Sequence, residues 1–371
     1  MEGRFLGRGV VVRKYKIYVY AICKNEAKFA KRWIKSMSEA DGIYVLDTGS
    51  DDGSEEILRG EGVNVTREVI SPWRFDRARN RSLELVPEDA DLCVCTDLDE
   101  VFHAGWREKM EAALDKGANL LRYRYTWNFL PSGEEGYVFW IEKAHARQGF
   151  KWVNAVHEVL KSEVAVKVEE ASGVQIDHLA DERKSRAQYL PLLELAVKED
   201  PQNDRNMHYL GREYMFYGRW KDCENTLKRH LEMPSATWNE ERCASMRYIA
   251  RAIKNQGREN EAEEWLLRAI AEAPHLREGW IEAAEDALQK KRWSGALYFA
   301  QRALEISERG RSYINEAQSW GAKPYDIAAL AAYYLGLYRL AFDFGKSALE
   351  LDKSNKRLAE NMAFYEKAVK D

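Results

Sequence analysis

The chain has 371 residues, a formal net charge of −4 at pH 7 and an isoelectric point of about 6.1. Hydrophobic residues make up 45% and charged residues 32% of the sequence, which are globular values and exclude a disordered chain. The charge is balanced along the chain, which excludes a generally basic nucleic-acid-binding body but not a local basic groove. No apolar stretch approaches the length of a membrane span, so we expect no membrane partner.

The N-terminus and the cysteines predict a cytoplasmic protein. Residues 1–15 are rich in basic residues and glycine and lack the apolar core of a signal sequence, so we expect a flexible basic arm. The five cysteines lie at no zinc-ligand spacing, and Cys93 and Cys95 alternate with apolar neighbours as buried thiols would. Their odd number favours a reducing compartment.

The first half of the chain alternates strand and helix patterns. Residues 15–23 form an apolar, β-branched and aromatic run, and a helical pattern follows it. A second strand is predicted over 42–46, and it leads into the Asp-, Gly- and Ser-rich loop 47–54 and another helix. A third strand is predicted over 63–69. This alternation predicts an α/β fold with a mostly parallel, doubly wound sheet.

The next apolar run ends in a group of carboxylates at Asp97, Asp99 and Glu100. In an α/β sheet, the carboxyl end of a strand is where ligands are bound. Asp97 and Asp99 are two residues apart and would point the same way on an extended chain. Two such oxygen ligands suit a divalent cation, Mg²⁺ or Mn²⁺. The alternative interpretation is a solvated acidic turn.

The order of these segments resembles the family-2 glycosyltransferases. The matching motifs, over about residues 16–103, are AICKNE at 21–26, VLDTGSDDGS at 45–54, ARNRS at 78–82 and DLD at 97–99. The resemblance implies a GT-A fold, Rossmann-like with a mostly parallel sheet, and an inverting transfer from a nucleotide-diphosphate sugar, with a UDP-sugar as the expected donor. The sequence departs from the family at Thr48, where many members carry a second Asp that helps to hold the base.

The resemblance also implies roles for individual residues. Asp99 would be the direct metal ligand, and Asp97 would coordinate through water or accept from the ribose hydroxyls. The residues expected to contact the donor are Ala21, Asn25, Glu26, Asp47, Arg77, Arg79, Asn80 and Asp97. The two arginines would face the diphosphate. Alternatively they pair with Asp76 or Glu84, and Asn80 is a hydrogen bonder on its helix without a ligand.

A base is expected in the segment 150–159, which is apolar and aromatic apart from a few polar residues that include His157 and Glu158. An inverting transfer needs a base to accept the proton of the acceptor. On a strand the two side chains would point to opposite faces, so only one would enter the cleft. We favour Glu158. The alternative is that Glu158 pairs with Lys151 or Arg147.

A third metal ligand is expected at His178, after a strand-like run over 164–168. In several GT-A enzymes a late histidine completes the metal site. An imidazole suits Mn²⁺ better than Mg²⁺. Alternatively His178 caps the following helix or packs at the domain junction. We interpret His103 and His145 as structural.

From about residue 185 onward the pattern is helical. Short breaks at 217–220, 256–258, 291–293 and 335–338 recur at intervals of about 35 to 45 residues, which predicts an all-α domain of tetratricopeptide-like repeats. The expected domains are 16–183 and 184–371. This arrangement is similar to family-2 enzymes with C-terminal repeats, such as bacterial peptide S-glycosyltransferases and phage-encoded relatives. We expect no chemistry beyond residue 186, where the sequence indicates no histidine cluster.

The acceptor remains open between three classes. Helical repeats commonly bind peptides or mediate self-association, which predicts a protein or peptide acceptor and a possible homodimer. A nucleic-acid base is the alternative, and it needs a basic, aromatic-lined surface. Candidates for that surface are Arg122, Arg124, Trp127, Lys143, Arg147, Lys151 and Trp152. The third class is a non-catalytic sugar-nucleotide-binding protein, against which the carboxylates Asp97 and Asp99 argue.

Overall fold

The structure, a computed structural model, describes residues 13–130, 133–181 and 187–370. These residues form two units, one with residues up to 128 and from 140 to 183, and one with residues 129–139 and from 184 onward. Most of the predicted arm, residues 1–15, and the predicted boundary at 183/184 lie outside the described residues. Of the arm, Arg13 contacts Asp41, and Lys14 and Tyr15 both contact Asp115.

The first unit is built on an eight-stranded sheet in the order β3-β2-β1-β4-β7-β6-β10-β5. The strands are β1 (Ile17–Cys23), β2 (Gly42–Asp47), β3 (Asn64–Arg67), β4 (Leu92–Cys95), β5 (Glu100–Phe102), β6 (Leu120–Thr126), β7 (Val138–His145) and β10 (Val168–His178). Strands β3, β2, β1 and β4 are mutually parallel, as are β6 and β10, whereas β7 runs antiparallel to β4 and β5 to β10. The predicted α/β class and mostly parallel sheet are confirmed.

Helices cover this sheet, and those that follow β1 and β2 lie where the sequence predicts them. They are α1 (Ala27–Ser36), α2 (Ser54–Gly60), α3 (Phe75–Glu84) and α4 (Trp106–Leu114). All four residues of β4 are buried, as expected for a central strand that is covered on both faces. The indole Nε1 of Trp33 on α1 donates to Oγ1 of Thr96 at 3.0 Å, which fixes the helix to the end of β4.

The strand register brings three loops to one edge of the sheet. Cys23 at the end of β1 lies opposite Asp47 at the end of β2, and Tyr20 of β1 lies opposite Cys95 at the end of β4. Because these strands are parallel, the segments that follow them leave the sheet on the same side. The loops after residues 23, 47 and 95 therefore emerge together.

A separate hairpin carries the residues that we proposed as the base. It consists of β8 (Phe150–Val153) and β9 (Val159–Ser162), which pair antiparallel. His157 and Glu158 lie in the connection between them, and His157 has a positive φ of 51°. The expectation that both residues lie on a strand and face opposite sides is therefore wrong. The backbone N–H of Phe75 donates to the carbonyl of Ala155 at 2.9 Å and joins this turn to the start of α3.

The second unit consists of helix pairs. Its helices are α5 (Tyr189–Glu199), α6 (Asp204–Phe216), α7 (Trp220–Glu232), α8 (Asn239–Lys254), α9 (Glu259–Glu272), α10 (Arg277–Gln289), α11 (Trp293–Leu304), α12 (Lys323–Tyr334), α13 (Tyr338–Leu351) and α14 (Lys356–Lys370). Each of the four predicted breaks is a short turn within a pair: α6–α7, α8–α9, α10–α11 and α12–α13. The predicted all-α repeat architecture is confirmed.

One face of α6 is buried. Met207, Leu210 and Tyr214 lie on this face, whereas Tyr217, just after the C-terminal end of the helix, is exposed. The helix packs closely on α7. A Cβ atom added at Gly211 would lie only 2.3 Å from Cδ2 of Leu227. A glycine is therefore required at this crossing.

Among the described residues, no helix combines the length and the apolar character needed to span a bilayer. All five cysteines are buried and carry free thiols. The burial of Cys93 and Cys95 agrees with their predicted position on a strand.

Candidate active site

The carboxylate of Asp97 lies between two cationic side chains just beyond β4. Nη2 of Arg79 donates to Oδ1 and Oδ2 of Asp97 at 2.9 and 3.1 Å, and Nζ of Lys143 donates to Oδ2 at 3.1 Å. Burial alone would raise the pKa of the Asp97 carboxyl, but the charges of Arg79 and Lys143 hold this pKa well below its usual value. The charge of Asp97 is therefore balanced within the protein itself.

Glu100 is the fully buried counter-ion of the same cluster. Its Oε1 accepts from Nζ of Lys143 at 2.6 Å and from the hydroxyl of Tyr125 at 2.9 Å, and its Oε2 accepts from the backbone N–H of Asp97 at 2.9 Å. Burial, reinforced by the nearby charge of Asp97, raises the pKa of the Glu100 carboxyl, although Lys143 acts in the opposite direction. Glu100 had no predicted role, and Lys143 was expected only at a nucleic-acid surface.

Arg79 connects Asp97 to the predicted base. Its side chain is only 6% exposed, and its Nε donates to Oε1 of Glu158 while Nη1 lies 3.2 Å from Sγ of Cys95. The guanidinium lies over the ring of Trp152, 5.4 Å from the ring centroid. A buried guanidinium with two carboxylate partners is fixed in place, so Arg79 sets the positions of Asp97 and Glu158 relative to each other.

The carboxylate of Asp99 faces His178, whereas that of Asp97 contacts Arg79 and Lys143. Nε2 of His178 lies 3.6 Å from Oδ2 of Asp99, and Nδ1 of the same ring is 2.8 Å from the carbonyl oxygen of Trp127. Burial would lower the pKa of His178, but the hydrogen bond and charge of Asp99 outweigh it and raise this pKa. The backbone N–H of Leu179 donates to the carbonyl of Asp99 at 2.8 Å and joins the end of β10 to this turn.

The Asp99–His178 pair has the donor set that a divalent cation needs. With Nδ1–H donated to a backbone carbonyl, Nε2 of His178 faces Asp99, and once Nε2 has lost its proton its lone pair would be available to a cation, as in histidine metal ligands. Asp97 does not fit the role of direct ligand in its present contacts, because both of its oxygens accept from cations. Asp99 and His178 are therefore the residues that fit a cation.

Asp47 presents a free carboxylate oxygen at the same sheet edge. Its Oδ1 accepts from the backbone N–H groups of Gly49 and Ser50 at 2.9 and 2.8 Å, whereas its buried Oδ2 has no hydrogen-bond partner. A buried carboxylate oxygen without a partner is costly unless a ligand supplies a donor. At the position where the family has a second Asp, the hydroxyl of Thr48 donates to the carbonyl of Cys23 at 3.0 Å and ties β2 to β1.

The loop after β1 is held by the loop after β2. Oδ1 of Asn25 accepts from the backbone N–H of Asp51 at 2.9 Å, and the N–H of Glu26 donates to Oγ of Ser54 at 2.7 Å. Asn25 has a φ of 58°, which an asparagine tolerates better than most residues. Ala21 is fully buried within β1, opposite Val45 of β2.

Two predicted donor contacts on α3 have different surroundings. Arg77 is exposed, and the alternative partners Asp76 and Glu84 are taken by other arginines, since Arg74 pairs with Asp76 and Arg81 with Glu84.

The side chain of Asn80 joins α3 to β8. Its Nδ2 donates to the carbonyl of Trp152, and its Oδ1 accepts from the backbone N–H of Trp152, both at 2.8 Å. Asn80 therefore uses its amide within the protein, as in the alternative interpretation.

Four of the residues considered for nucleic-acid binding are buried or paired with carboxylates. Trp152 is buried, Lys143 belongs to the Asp97 cluster, Arg122 pairs with Glu142, and Lys151 pairs with Glu163. Trp127 is different, because the residue is 46% exposed and its ring centroid lies 4.6 Å from that of His178, with the two rings tilted by 32°. It is an exposed aromatic side chain beside the predicted metal ligands.

The two other histidines have structural surroundings. Nε2 of His103 lies 2.8 Å from Oδ2 of Asp177, and Nε2 of the buried His145 lies 2.7 Å from the hydroxyl of Tyr20. Burial lowers the pKa of His145 to about 4, so this ring is neutral near pH 7.

Residues 18–153, which include this sheet edge, match the model of glycosyl transferase family 2. The first unit carries a family-2 glycosyltransferase domain. The matched range contains the loops after β1, β2 and β4, but it ends before Glu158 and His178. The roles of those two residues therefore rest on the contacts described above.

Comparison with curated proteins gave no match. Among solved structures, the MamA protein is 19% identical, covers 44% of this chain and 81% of its own, and has a TM-score of 0.35. PilF of Pseudomonas aeruginosa is 12% identical over 47% of this chain and 72% of its own, with a TM-score of 0.38. The Arabidopsis OM64 TPR domain is 19% identical over 35% of this chain and 98% of its own, with a TM-score of 0.30. At these values the similarities indicate no partner or activity for this chain.

Proposed function

We propose that this protein is an inverting glycosyltransferase that moves a sugar from a nucleotide-diphosphate sugar to a protein or peptide side chain. The observation that carries the proposal is the position of Asp47, whose buried Oδ2 has no partner, at the end of β2. The strand beside it, β1, leads to Asn25, and the next strand in the sheet, β4, leads to Asp97. A carboxylate with one oxygen satisfied internally and one left over is suited to accept from a nucleoside. We take a UDP-sugar as the first donor to test.

Positive charge near the diphosphate would stabilise the leaving nucleoside diphosphate. Asp99 and His178 would hold a divalent cation, Mn²⁺ or Mg²⁺, which would supply this charge when bound. Lys143 and Arg79 are already paired with Asp97, Glu100 and Glu158, so they hold these carboxylates in place. A site that is held in place needs no reorganisation as the reaction proceeds, which favours the more negative transition state.

Glu158 is the proposed base. In the reaction, the acceptor nucleophile bonds to the anomeric carbon, the bond from that carbon to the diphosphate oxygen breaks, and Glu158 accepts the acceptor's proton. One oxygen of Glu158 is held by Arg79, which leaves the other to accept this proton. His157, the adjacent residue in the same turn, is the second candidate.

Two features support a protein or peptide acceptor: the helix pairs of the second unit and the paired basic residues of the first. Helix pairs in a repeat array are commonly peptide-binding or self-association surfaces. This unit exposes large aromatic side chains, among them Tyr298, Tyr334 and Phe364, at 54 to 62%. The neutralised basic residues do not favour a nucleic-acid acceptor. A homodimer through the helical unit and a cytoplasmic location, in keeping with five free thiols, complete the proposal.

The test is a donor and acceptor screen with the full-length protein. Binding of a panel of nucleotide sugars is measured by calorimetry with Mn²⁺ present, and release of nucleoside diphosphate is followed by a coupled assay. Labelled donor is then offered to peptides that carry Ser, Thr or Cys and, in parallel, to oligonucleotides. We expect label in peptide, whereas label only in oligonucleotide would establish the nucleic-acid alternative. The absence of any donor binding would contradict transferase activity.

A further inference from the structure

Three side chains that can bind a metal converge inside the helical unit. They are His208 on α6, His230 on α7 and Glu241 on α8, with exposed fractions of 0, 0 and 4%. One ligand atom from each lies within 4.8 Å of the others, and no other group of three such residues converges this closely in the part of the chain that the structure describes. The expectation that residues beyond 186 contain no histidine cluster is therefore wrong. The spacing of these residues follows no motif, so only the helix packing reveals the cluster.

A serine orients both imidazole rings. Oγ of Ser245 lies 2.8 Å from Nδ1 of His208 and 3.0 Å from Nδ1 of His230. A hydroxyl oxygen has two lone pairs and is able to accept from both Nδ1–H groups. In that arrangement both Nε2 atoms keep their lone pairs, and a shared outer-shell partner of this kind is typical of histidines that bind metals.

The atoms on the other side of the rings lack partners. Nε2 of His208 and Nε2 of His230 are buried without a hydrogen bond, and Nε2 of His230 lies 3.5 Å from Oε1 of Glu241. The second oxygen of Glu241, Oε2, accepts from the hydroxyl of Tyr313, which fixes the carboxylate. Two buried nitrogens without a hydrogen bond and one carboxylate oxygen therefore belong to the same cluster.

We propose that His208 Nε2, His230 Nε2 and Glu241 Oε1 bind a zinc ion. Imidazole nitrogen and carboxylate oxygen are ordinary zinc ligands. Ligand bonds of about 2.0–2.1 Å in a tetrahedral site place neighbouring ligand atoms roughly 3.3 Å apart, close to the separation of His230 and Glu241. The guanidinium groups of Arg205 and Arg212 lie over the ring of Tyr209 and oppose a cation at His208, whereas the charge of Glu241 acts in the opposite direction.

The role of the ion would be structural. The ligands come from the two helices of one pair and the first helix of the next, so zinc would cross-link α6, α7 and α8. All three ligands are buried, which suits an ion that stays bound rather than one that meets a substrate. This site is independent of the Asp99–His178 pair in the first unit and of the proposed transferase activity.

The experiment counts zinc in a protein whose predicted catalytic metal site has been removed. Full-length Asp99→Asn protein is stripped with chelator, dialysed against Zn²⁺ and analysed for bound metal by mass spectrometry and for its Tm by calorimetry. We expect about one zinc per chain and a higher Tm with zinc than without. Adding Glu241→Gln or His208→Gln should weaken zinc binding by at least tenfold. The matched control is His275→Gln, since His275 is exposed in the same unit, and it should leave zinc binding unchanged.

A second measurement tests the proposal without the ligand variants, in case these fail to fold. Crystals of Asp99→Asn protein soaked in Zn²⁺ should show an anomalous peak between the three side chains. A protein that binds no zinc, a zinc content unaffected by both ligand variants, or a peak elsewhere would overturn the proposal. In that case the cluster is a hydrogen-bond relay in which Glu241 accepts from His230 and Ser245 donates to one ring.

Discussion

Nε2 of His178 faces Oδ2 of Asp99 across 3.6 Å, while Nδ1 of the same ring is held by the carbonyl of Trp127. The pair brings together the ends of β4 and β10, which are separated by about half of the first unit's sequence. Of the contacts in the first unit, this one distinguishes most directly between a cation site and a solvated acidic turn.

Asp99→Asn should abolish sugar transfer and donor hydrolysis, because an amide is a poor ligand for a divalent cation and the pair with His178 is lost. The folded state should persist, as judged by circular dichroism. Activity is measured with Mn²⁺ and again in excess chelator. The control is Asp89→Asn, which alters an exposed carboxylate paired with Lys16 and should leave activity unchanged. Activity that survives chelation would disprove the metal assignment.

Asp47→Asn should weaken donor binding by about 10- to 100-fold, the usual loss for a hydrogen bond to a charged group. The amide oxygen still accepts from Gly49 and Ser50, so the loop should keep its shape. The Kd for the nucleotide is measured by titration calorimetry. Asp51→Asn, at an exposed position in the same loop, serves as the control. Equal affinities for the two variants would mean that Asp47 only stabilises the turn.

Glu158→Gln should lower the rate of transfer by about 10²–10⁴-fold, because it keeps the shape of the side chain and removes its basicity. Donor affinity should change little. With a thiol acceptor, which is partly ionised near neutral pH, the loss should be smaller and should shrink as the pH rises. Glu163→Gln, in the exposed pair with Lys151 next to the same hairpin, is the control. If donor binding collapses instead, Glu158 belongs to the donor site, and an unchanged rate would move the base to His157 or Asp177.

Arg79→Lys should destabilise the fold by on the order of 2 kcal/mol, because one ammonium is unable to reach both Asp97 and Glu158 as the guanidinium does. Urea denaturation measures the free energy of unfolding. The control is Arg77→Lys, at an exposed position on the same helix, which should not change the stability. Equal stability of the two variants would show that the buried ion pairs do not hold this part of the fold together.

The stability of the second unit should depend on pH through Glu224. Burial would raise the pKa of this carboxyl, but hydrogen bonds from Lys228, Gln256 and Arg258 lower it to about 2. A carboxyl with a lowered folded-state pKa stabilises the protein above its usual pKa, and this contribution is lost as the pH falls. Wild type should therefore exceed Glu224→Gln in stability near pH 6, and the difference should shrink toward pH 3. A difference that is constant over this range would contradict the assignment.

Hydrophobic periodicity was sufficient to predict the first strands of the sheet and the helix pairs, but the strand-like run predicted over 164–168 lies almost wholly before β10. Strands β1, β2 and β4 and the breaks between the helix pairs are local patterns of apolar residues, and local patterns are what a sequence displays directly. The carboxylates at the strand ends were predictable for the same reason, since parallel strands bring their ends to one edge.

The partners of those carboxylates were not predictable. Lys143 reaches Asp97 from an antiparallel strand, and Arg79 reaches both Asp97 and Glu158 from a helix. These contacts depend on register and rotamer, which no short pattern encodes. The turn that carries His157 has a positive φ, and a run of apolar residues on both sides made it look like a strand.

Residues 129–139 belong to the helical unit, although they lie within the sequence of the first unit. The chain passes from one unit to the other three times, after residues 128, 139 and 183. A gene fusion that joined two finished modules end to end would leave one passage. Exchange of the repeat unit between homologues would therefore need matched replacements at two separate stretches of the gene, and limited proteolysis at the last passage alone would not yield two complete units.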